Sequence, residues 1–264
     1  MKITEKTTQT ALSNSKLPGL TYSLNPYEGC SHQCAYCYVP SVCHLSRKQW
    51  ENSLAIKRNI PLVLSKELSK KKKAVVGIST VTDPYQPVEK TYQLTRYCLE
   101  QLLKKDFPIS IQTKSSLICR DKDLIEQFSQ AEIMMSIGTF DESKRTILEP
   151  CSSPIKKRLQ VFKTFSDATV KKSVFLGPLY PMTEIELKNM LNTFVDLSIS
   201  TIMIDYFRMK PGIYENIQQY GRKNPVFLND LETYLTNQKQ IYNQQRQFIQ
   251  TYLKNKKIKI VDAF

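Results

Sequence analysis

Short apolar runs alternate with amphipathic stretches through most of the chain. Runs of strand length stand at 20–24, 74–80, 108–112, 133–137, 170–176 and 201–204. Between the second and third of these, Leu94, Cys98, Leu99 and Leu102 or Leu103 recur at helical spacing, which predicts a helix over 91–105. Further helices are expected over 45–58, 61–72, 121–130, from Asp141, over 153–168 and over 183–197. A capping box, Thr183-x-x-Glu186, marks the start of the last. Strands that alternate with amphipathic helices pair in parallel and carry the helices outside. The six strand–helix units counted here are too few for a closed eight-stranded barrel. The expected fold is therefore α/β, a partial (β/α)6 barrel whose functional loops sit at the C-terminal strand ends.

The alternation starts near residue 20 and stops after Gly212. That divides the chain into a polar N-terminal arm (1–19), the partial-barrel core (20–212) and a mainly helical extension (213–264). Within the extension, residues 224–254 should be mostly helical and 257–261 a terminal strand.

One loop carries the densest chemistry. Residues 25–39 read N-P-Y-E-G-C-S-H-Q-C-A-Y-C-Y-V, placing Cys30, Cys34 and Cys37 at C-x3-C-x2-C spacing behind the first strand. Asn25, Pro26 and Gly29 are turn residues that break the strand and let the backbone wrap a bound group. Three thiolates so spaced can hold three corners of a 4Fe-4S cubane and leave the fourth iron open to chemistry. Zinc competes for the same loop, because Cys43 and both histidines, His32 and His44, lie in or beside it. A structural zinc site normally closes with four ligands, often two C-x2-C pairs, and the second pair is missing.

Composition narrows the setting. The 264 residues can bury a sizeable core, and the content of 41% hydrophobic and 23% charged residues is that of a globular protein. No run of about twenty apolar residues offers a membrane span, and the polar N-terminus lacks the apolar centre of a signal peptide. The expected location is the cytoplasm. A net charge of +14 favours anionic partners, whether nucleic acid or an acidic electron-donor protein. The dense run Lys70–Lys73 reads as the solvated end of a helix.

Three further segments accompany the cysteine loop: T-V-T-D-P-Y-Q-P-V-E (80–89), I-Q-T-K-S-S-L-I-C-R-D (111–121) and L-E-P-x4-P-x3-R-L (148–159). With these in order, the chain resembles the radical S-adenosylmethionine (SAM) superfamily, and within it the spore photoproduct lyase-related branch, over about residues 20–212. The resemblance implies that Cys30, Cys34 and Cys37 bind a 4Fe-4S cluster whose open iron is chelated by SAM. It also implies reductive cleavage of SAM to methionine and a 5'-deoxyadenosyl radical that takes hydrogen from a substrate. A flavodoxin or ferredoxin would then supply the electron. By family position, Thr82 and Asp83 would hold the methionine amino group, Lys114 the carboxylate and Ser136 the ribose. Tyr36 would lie near adenine. Each of these residues also has a plain structural reading: an Asp-Pro turn, a solvated lysine, a strand-end hydroxyl, an aromatic packed under its loop. Tyr85, Arg120, Glu149 and Arg158 suit either substrate contacts or internal ion pairs.

The resemblance departs at one position. Spore photoproduct lyase places a hydrogen-donating cysteine at the end of the second strand, where this chain has Thr80. Cys98 falls on an apolar helix face and is expected in the core, and Cys43 and Cys119 read as free thiols. The expectation is thus a radical SAM enzyme of unidentified substrate, nucleic acid first and a peptide or small metabolite open, with thymine-dimer repair not the main reading. The reading from a different class is a non-catalytic, zinc-stabilised basic module that binds nucleic acid.

Overall fold

A computed structural model describes residues 1–165 and 169–263. Eleven strands form two sheets among the described residues: β1 (Lys2–Lys6), β2 (Leu12–Asn14), β3 (Tyr22–Leu24), β4 (Tyr27–Glu28), β5 (Ser53–Lys57), β6 (Val76–Ile78), β7 (Ile109–Thr113), β8 (Ala131–Ser136), β9 (Val170–Leu176), β10 (Thr201–Ile204) and β11 (Lys259–Asp262). The large sheet runs β11-β10-β9-β8-β7-β6-β3-β2. Every pairing from β3 to β11 is parallel, and only β2 lies antiparallel, on β3. The six expected strands are therefore neighbours in chain order, the open partial barrel read from the alternation. The terminal strand extends it, since β11 pairs in register with β10.

Strand alternation separates the helix-facing core from the barrel interior. Ile109, Ile111 and Thr113 of β7 and Ala131, Ile133 and Met135 of β8 are buried. Ser110, Gln112, Glu132, Met134 and Ser136, the intervening residues, line a central cavity. A parallel strand covered on both faces is normally apolar throughout. Here the inner face is largely polar, because it borders a cavity and not a packed core. No helix among the described residues is long and apolar enough to cross a membrane.

Several expected helices are shorter than their apolar spacing suggested. The stretch 45–58 is a helix only over Arg47–Asn52, capped by Ser46, and continues as β5. Leu54 and Ile56 alternate with less buried neighbours, and pairing on both edges, with β1 and β4, selects the strand. The expected helix 91–105 is split by Gln93, left-handed at φ 51°, into one turn, Glu89–Tyr92, and a helix, Leu94–Leu103. The buried Glu89 carboxylate accepts from the Thr95 and Arg96 N–H groups at 3.0 and 3.3 Å and so caps the new start. The 121–130 helix shrinks to a 3-10 turn, Ser116–Asp121, and one α turn, Lys122–Ile125. Helix Ile155–Thr164 lies within the expected 153–168, whose last three residues, through Ala168, fall outside the described residues. The Thr183–Glu186 capping box forms as expected, with Thr183 N–H donating to Glu186 Oε2 at 2.7 Å.

The last segment of the chain meets the cysteine loop, while the first braces it at one remove: β1 pairs with β5, whose other edge carries β4, the strand that leads into the loop. Helices Ile213–Gly221, Pro225–Thr236 and Gln238–Leu253 follow β10. They build a second apolar cluster in which Ile217, Leu231 and Tyr234 meet Ala35 of the loop.

Candidate active site at the C-terminal strand ends

The cysteine loop departs from β4 through a point that accepts only glycine. Gly29 has φ +91°, and a Cβ there would stand 2.4 Å from the Ser53 carbonyl oxygen on β5. Beyond it the loop backbone is tied on every flank. Gln86, fully buried, accepts from the Ser31 N–H at 2.9 Å and donates to the Gly29 carbonyl at 3.2 Å. Ala35 N–H donates to the Leu148 carbonyl at 2.8 Å, and Asn216 Nδ2 donates to the Ala35 carbonyl at 2.8 Å. Arg47 donates to the Cys37 carbonyl at 2.6 Å and the Cys34 carbonyl at 3.5 Å. Few of these partners are near the loop in sequence, so the loop is shaped by tertiary contacts.

All three cysteines line a cavity of about 690 Å³, together with Tyr36, Thr82, Asp83, Lys114 and Ser136. The seven expected strand-end and loop positions thus converge with Cys30 on one space, of the size that small-molecule sites occupy, about 300–1,000 Å³. Burial pushes the Cys30 thiol up to about 12, aided by the Asp83 carboxylate and opposed by N–H groups of His32 and Asp83. Burial also raises the Cys34 thiol, against the pull of Lys114, and the Cys37 thiol, against the Val39 N–H and Arg47. Buried thiols so placed resist ionisation until a cation sits among them, as bound iron would.

Asp83 is the best-connected group in the cavity wall. Its Oδ1 accepts from the Tyr85 N–H at 2.9 Å and the Thr113 hydroxyl at 2.6 Å. Its Oδ2 accepts from the Lys114 N–H at 2.8 Å and lies 3.2 Å from His32 Nδ1. Burial opposes its charge, but His32, Thr113 and the Lys114 N–H hold the carboxyl well below the usual carboxylate range. Asp83 therefore joins the cysteine loop to the end of β7, with three N–H and O–H donors on its oxygens and the His32 ring in contact.

Lys114 is different. Its side chain is half-buried and stands over the Tyr36 ring, Nζ 5.8 Å from the centroid, paired with no carboxylate among the described residues. Burial disfavours its charge, yet Cys34, Glu149 and Asp83 raise its affinity for the proton. Thr82 Oγ1 and Ser79 Oγ, both buried and both on the cavity wall, have no hydrogen-bond partner. An unpaired ammonium and two unused hydroxyls are what a zwitterionic ligand would need. Ser136 lines the wall, its Oγ accepting from Gln112 Nε2 at 3.3 Å and its carbonyl from Arg158 at 2.8 Å.

Three of the four residues with open assignments resolve into internal networks, and the fourth, Tyr85, is buried with no hydrogen-bond partner for its hydroxyl among the described residues. Arg158 is 1% exposed and pairs with Glu149 at 2.5 Å, and Tyr36 donates its hydroxyl to the other Glu149 oxygen. Arg158 also donates to the Ser153 carbonyl at 2.8 Å. Arg120 bridges Glu89 at 2.6 Å and Asp121 at 2.8 Å, close to the buried Tyr85 ring. None of the four carries a free charge into the cavity.

The remaining thiols lie outside the cavity, Cys151 touching the loop with its Sγ 3.9 Å from Gln33 Oε1. Cys98 is fully buried in the core, and neither Cys43 nor Cys119 lines the cavity. Thr80 does line it, so the wall at that strand end presents a hydroxyl. Cys43 and His44 are exposed, and among the described residues no three His, Cys, Asp or Glu side chains are placed to hold a single metal ion. A cubane, whose cysteines surround a body several atoms wide, does not need that convergence.

A family model described as the Radical SAM superfamily matches residues 24–194. The chain belongs to the radical SAM superfamily. An uncharacterised protein of Methanocaldococcus jannaschii is 34% identical over 172 residues, covering 64% of each chain. The radical SAM Nalpha-GlyT isomerase of Pseudomonas phage M6 is 21% identical over 217 residues, which are 79% of this chain and 45% of that enzyme. The chain thus spans less than two thirds of these relatives. Among solved structures, a spore photoproduct lyase mutant with bound AdoMet and dinucleoside spore photoproduct superposes with a TM-score of 0.66 over 99% of this chain and 82% of that one. At 13% identity the likeness is one of fold.

For this radical SAM chain, the sequence pattern did not point to several residues that shape the site. Gln86 sits between prolines in the quoted D-P-Y-Q-P turn, a context that hints at a fixed backbone but not at its partner. Asn216 lies 181 residues from the carbonyl it holds, and no local signal marks it. Asp205, Phe207 and Arg208, after β10, add a further wall, with Arg208 donating to Asp205 at 2.8 Å.

Proposed function

We propose that the chain binds a 4Fe-4S cluster through Cys30, Cys34 and Cys37 and cleaves SAM reductively in the adjoining cavity. The observation that carries this reading is the opening of three thiols and an unpaired lysine on to one cavity of about 690 Å³. When bound, the reduced cluster supplies one electron that splits SAM into methionine and a 5'-deoxyadenosyl radical, which abstracts hydrogen from a substrate. Lys114 binds the methionine carboxylate, a charge-assisted contact strengthened by its low-dielectric setting. Thr82 offers a free hydroxyl oxygen to the methionine ammonium. Asp83 lends that cation its negative potential and keeps the wall in place through Thr113 and the Lys114 N–H. Tyr36 and Phe207, packed edge to face at 5.9 Å, form an apolar surface for the adenine ring. Ser136 bounds the ribose.

We place nucleic acid first among substrates. The net charge of +14 supports an anionic substrate, as does the dinucleoside held by the lyase of like fold. Thr80 marks a difference from thymine-dimer repair, since a hydroxyl does not readily return hydrogen to a carbon radical. The cytoplasm is the compartment we assign.

The test is anaerobic reconstitution with iron and sulfide, followed by dithionite, SAM and chromatography for 5'-deoxyadenosine. Product that disappears in the Cys30→Ala/Cys34→Ala/Cys37→Ala variant is expected. A reconstituted protein with no cluster absorbance and no product would refute the reading. A DNA oligonucleotide that accelerates product formation would support the substrate class.

A further inference from the structure

The excess positive charge has a definite place in the fold. Each parallel strand from β6 on is entered through a turn at its N-terminal end, the end away from the cysteines. The described turns 69–75, 104–108, 126–130, 197–200 and 254–258 hold nine lysines and no arginine against two acids, Asp106 and Glu126. Both acids are paired, Asp106 with Lys73 at 3.0 Å and Glu126 with Lys122 at 3.0 Å. At the other end the loops 29–46, 79–88, 114–115, 137–141, 177–183 and 205–212 are balanced, with Lys114, Arg208 and Lys210 against Asp83, Asp141 and Asp205.

Two of the basic turns form one patch. The parallel pairing of β6 with β7 sets Lys70–Lys73 beside Lys104 and Lys105, and the Lys73–Asp106 pair spans the two turns. Asp106 also accepts from the Ser129 N–H at 2.9 Å, which fastens the turn before β8 to the same edge. Lys71 stands over the Tyr22 ring, Nζ 5.2 Å from the centroid. Lys70, Lys72, Lys104 and Lys105 are exposed and pair with no carboxylate among the described residues. The helix dipole gives a local reason for a lysine at a helix C-terminus. Six on two neighbouring turns go beyond that reason and repel one another, a cost that a bound polyanion offsets.

We infer that this face docks the phosphate backbone of duplex DNA, independently of sequence. Lysine is a flexible point charge suited to phosphates, whereas base edges are read by bidentate groups such as arginine, which the turns lack. Phe107 and Phe128 in these turns are buried, and no large apolar side chain is exposed in them. The face therefore offers no stacking platform for single strands or RNA, and no apolar insertion into a membrane. DNA held here lies at the opposite end of the strands from the thiols and leaves the SAM site free. Docking on this face requires neither the cluster nor turnover.

The experiment measures fluorescence anisotropy of a labelled DNA duplex with the reconstituted protein across a range of salt concentrations. Lys70→Gln/Lys72→Gln/Lys104→Gln/Lys105→Gln is compared with Lys188→Gln/Lys210→Gln/Lys223→Gln/Lys239→Gln, four exposed lysines away from the face that give the same net charge. The face variant should bind about tenfold or more weakly and lose about four from the slope of log K against log salt, one for each phosphate contact. The control should keep the wild-type slope, and duplexes of unrelated sequence should bind alike. Equal losses in both variants would reduce the effect to net charge and overturn the surface, as would wild-type protein that does not bind the duplex. If the face variant does not fold, lysine acetylation of the wild type read by mass spectrometry decides. The duplex should shield Lys70, Lys72, Lys104 and Lys105 but not Lys188, and uniform or absent shielding overturns the surface. Tighter binding to single-stranded DNA, duplex RNA or anionic phospholipid vesicles, lost in the face variant, would give the face to that partner and overturn the DNA assignment. Wild-type protein that binds duplex through this face but yields no 5'-deoxyadenosine would refute the cluster reading and leave the docking surface standing.

Discussion

Replacing Arg158 with methionine tests the network beneath the cysteine loop. Arg158 is 1% exposed, pairs with Glu149, and bonds the Ser136 and Ser153 carbonyls and the Ser152 hydroxyl. Methionine conserves much of the volume but leaves Glu149 a buried charge without its partner. Breaking a buried pair in this way costs about 3–5 kcal/mol. At about 2–4 °C per kcal/mol for a chain of this size, the midpoint should fall by about 6–20 °C. A pH signature accompanies the loss. In the wild type, burial raises the Glu149 carboxyl, but Arg158 and Lys114 bring it below its ordinary value. Its contribution is therefore complete above the unfolded pKa and lost as pH falls through the folded one. Without Arg158, burial dominates and the folded pKa rises above the unfolded value. The variant then loses stability as pH rises from that unfolded value through the new folded pKa, the opposite slope. The assay is thermal unfolding followed by circular dichroism at several pH values, with Glu149→Gln/Arg158→Met measured alongside. The double variant should recover part of the loss, because the stranded charge is gone. A single-variant cost below about 1 kcal/mol at neutral pH, the range of exposed pairs, would refute the argument.

Lys114→Met should weaken SAM binding about ten- to a hundredfold, the loss of one charge-assisted contact of about 1.5–3 kcal/mol, while cluster absorbance is retained. Equilibrium dialysis would check it, and unchanged affinity would remove Lys114 from the carboxylate site. Gly29→Ala should lower the iron bound per chain after reconstitution, since the new Cβ meets the Ser53 carbonyl at 2.4 Å; normal iron content would show that β5 yields. Asn216→Ala strands the buried Ala35 carbonyl and should cost about 1–3 kcal/mol, with faster cluster loss to a chelator. Stability and cluster retention equal to wild type would free the loop from the C-terminal helices. For Asp83, whose folded pKa is depressed, stability is complete at neutral pH and drains as pH falls from the ordinary carboxylate range toward the folded value. Asp83→Asn should flatten that acid limb in pH-dependent unfolding, and an unchanged limb would contradict it.

Local pattern was enough to read the parallel series of strands, the capping box at Thr183 and the cysteine loop, because periodicity and ligand spacing are written in neighbouring residues. The resemblance added Lys114, Thr82, Asp83 and Ser136, and the structure brings all four to the cavity that the cysteines line. Long-range contacts settled the rest. β5 formed where helix was expected because β1 and β4 offered edges on both sides, and the 91–105 helix was broken by a cap from Glu89. Glu149, Arg158, Arg120 and Tyr85 look alike in sequence whether they face a substrate or one another; only burial and partner distances separate the two. Asp83 shows the same limit, since its bonds to His32, Thr113 and Lys114 join segments about 30 to 50 residues apart, and no local rule reveals which donors a carboxylate already has.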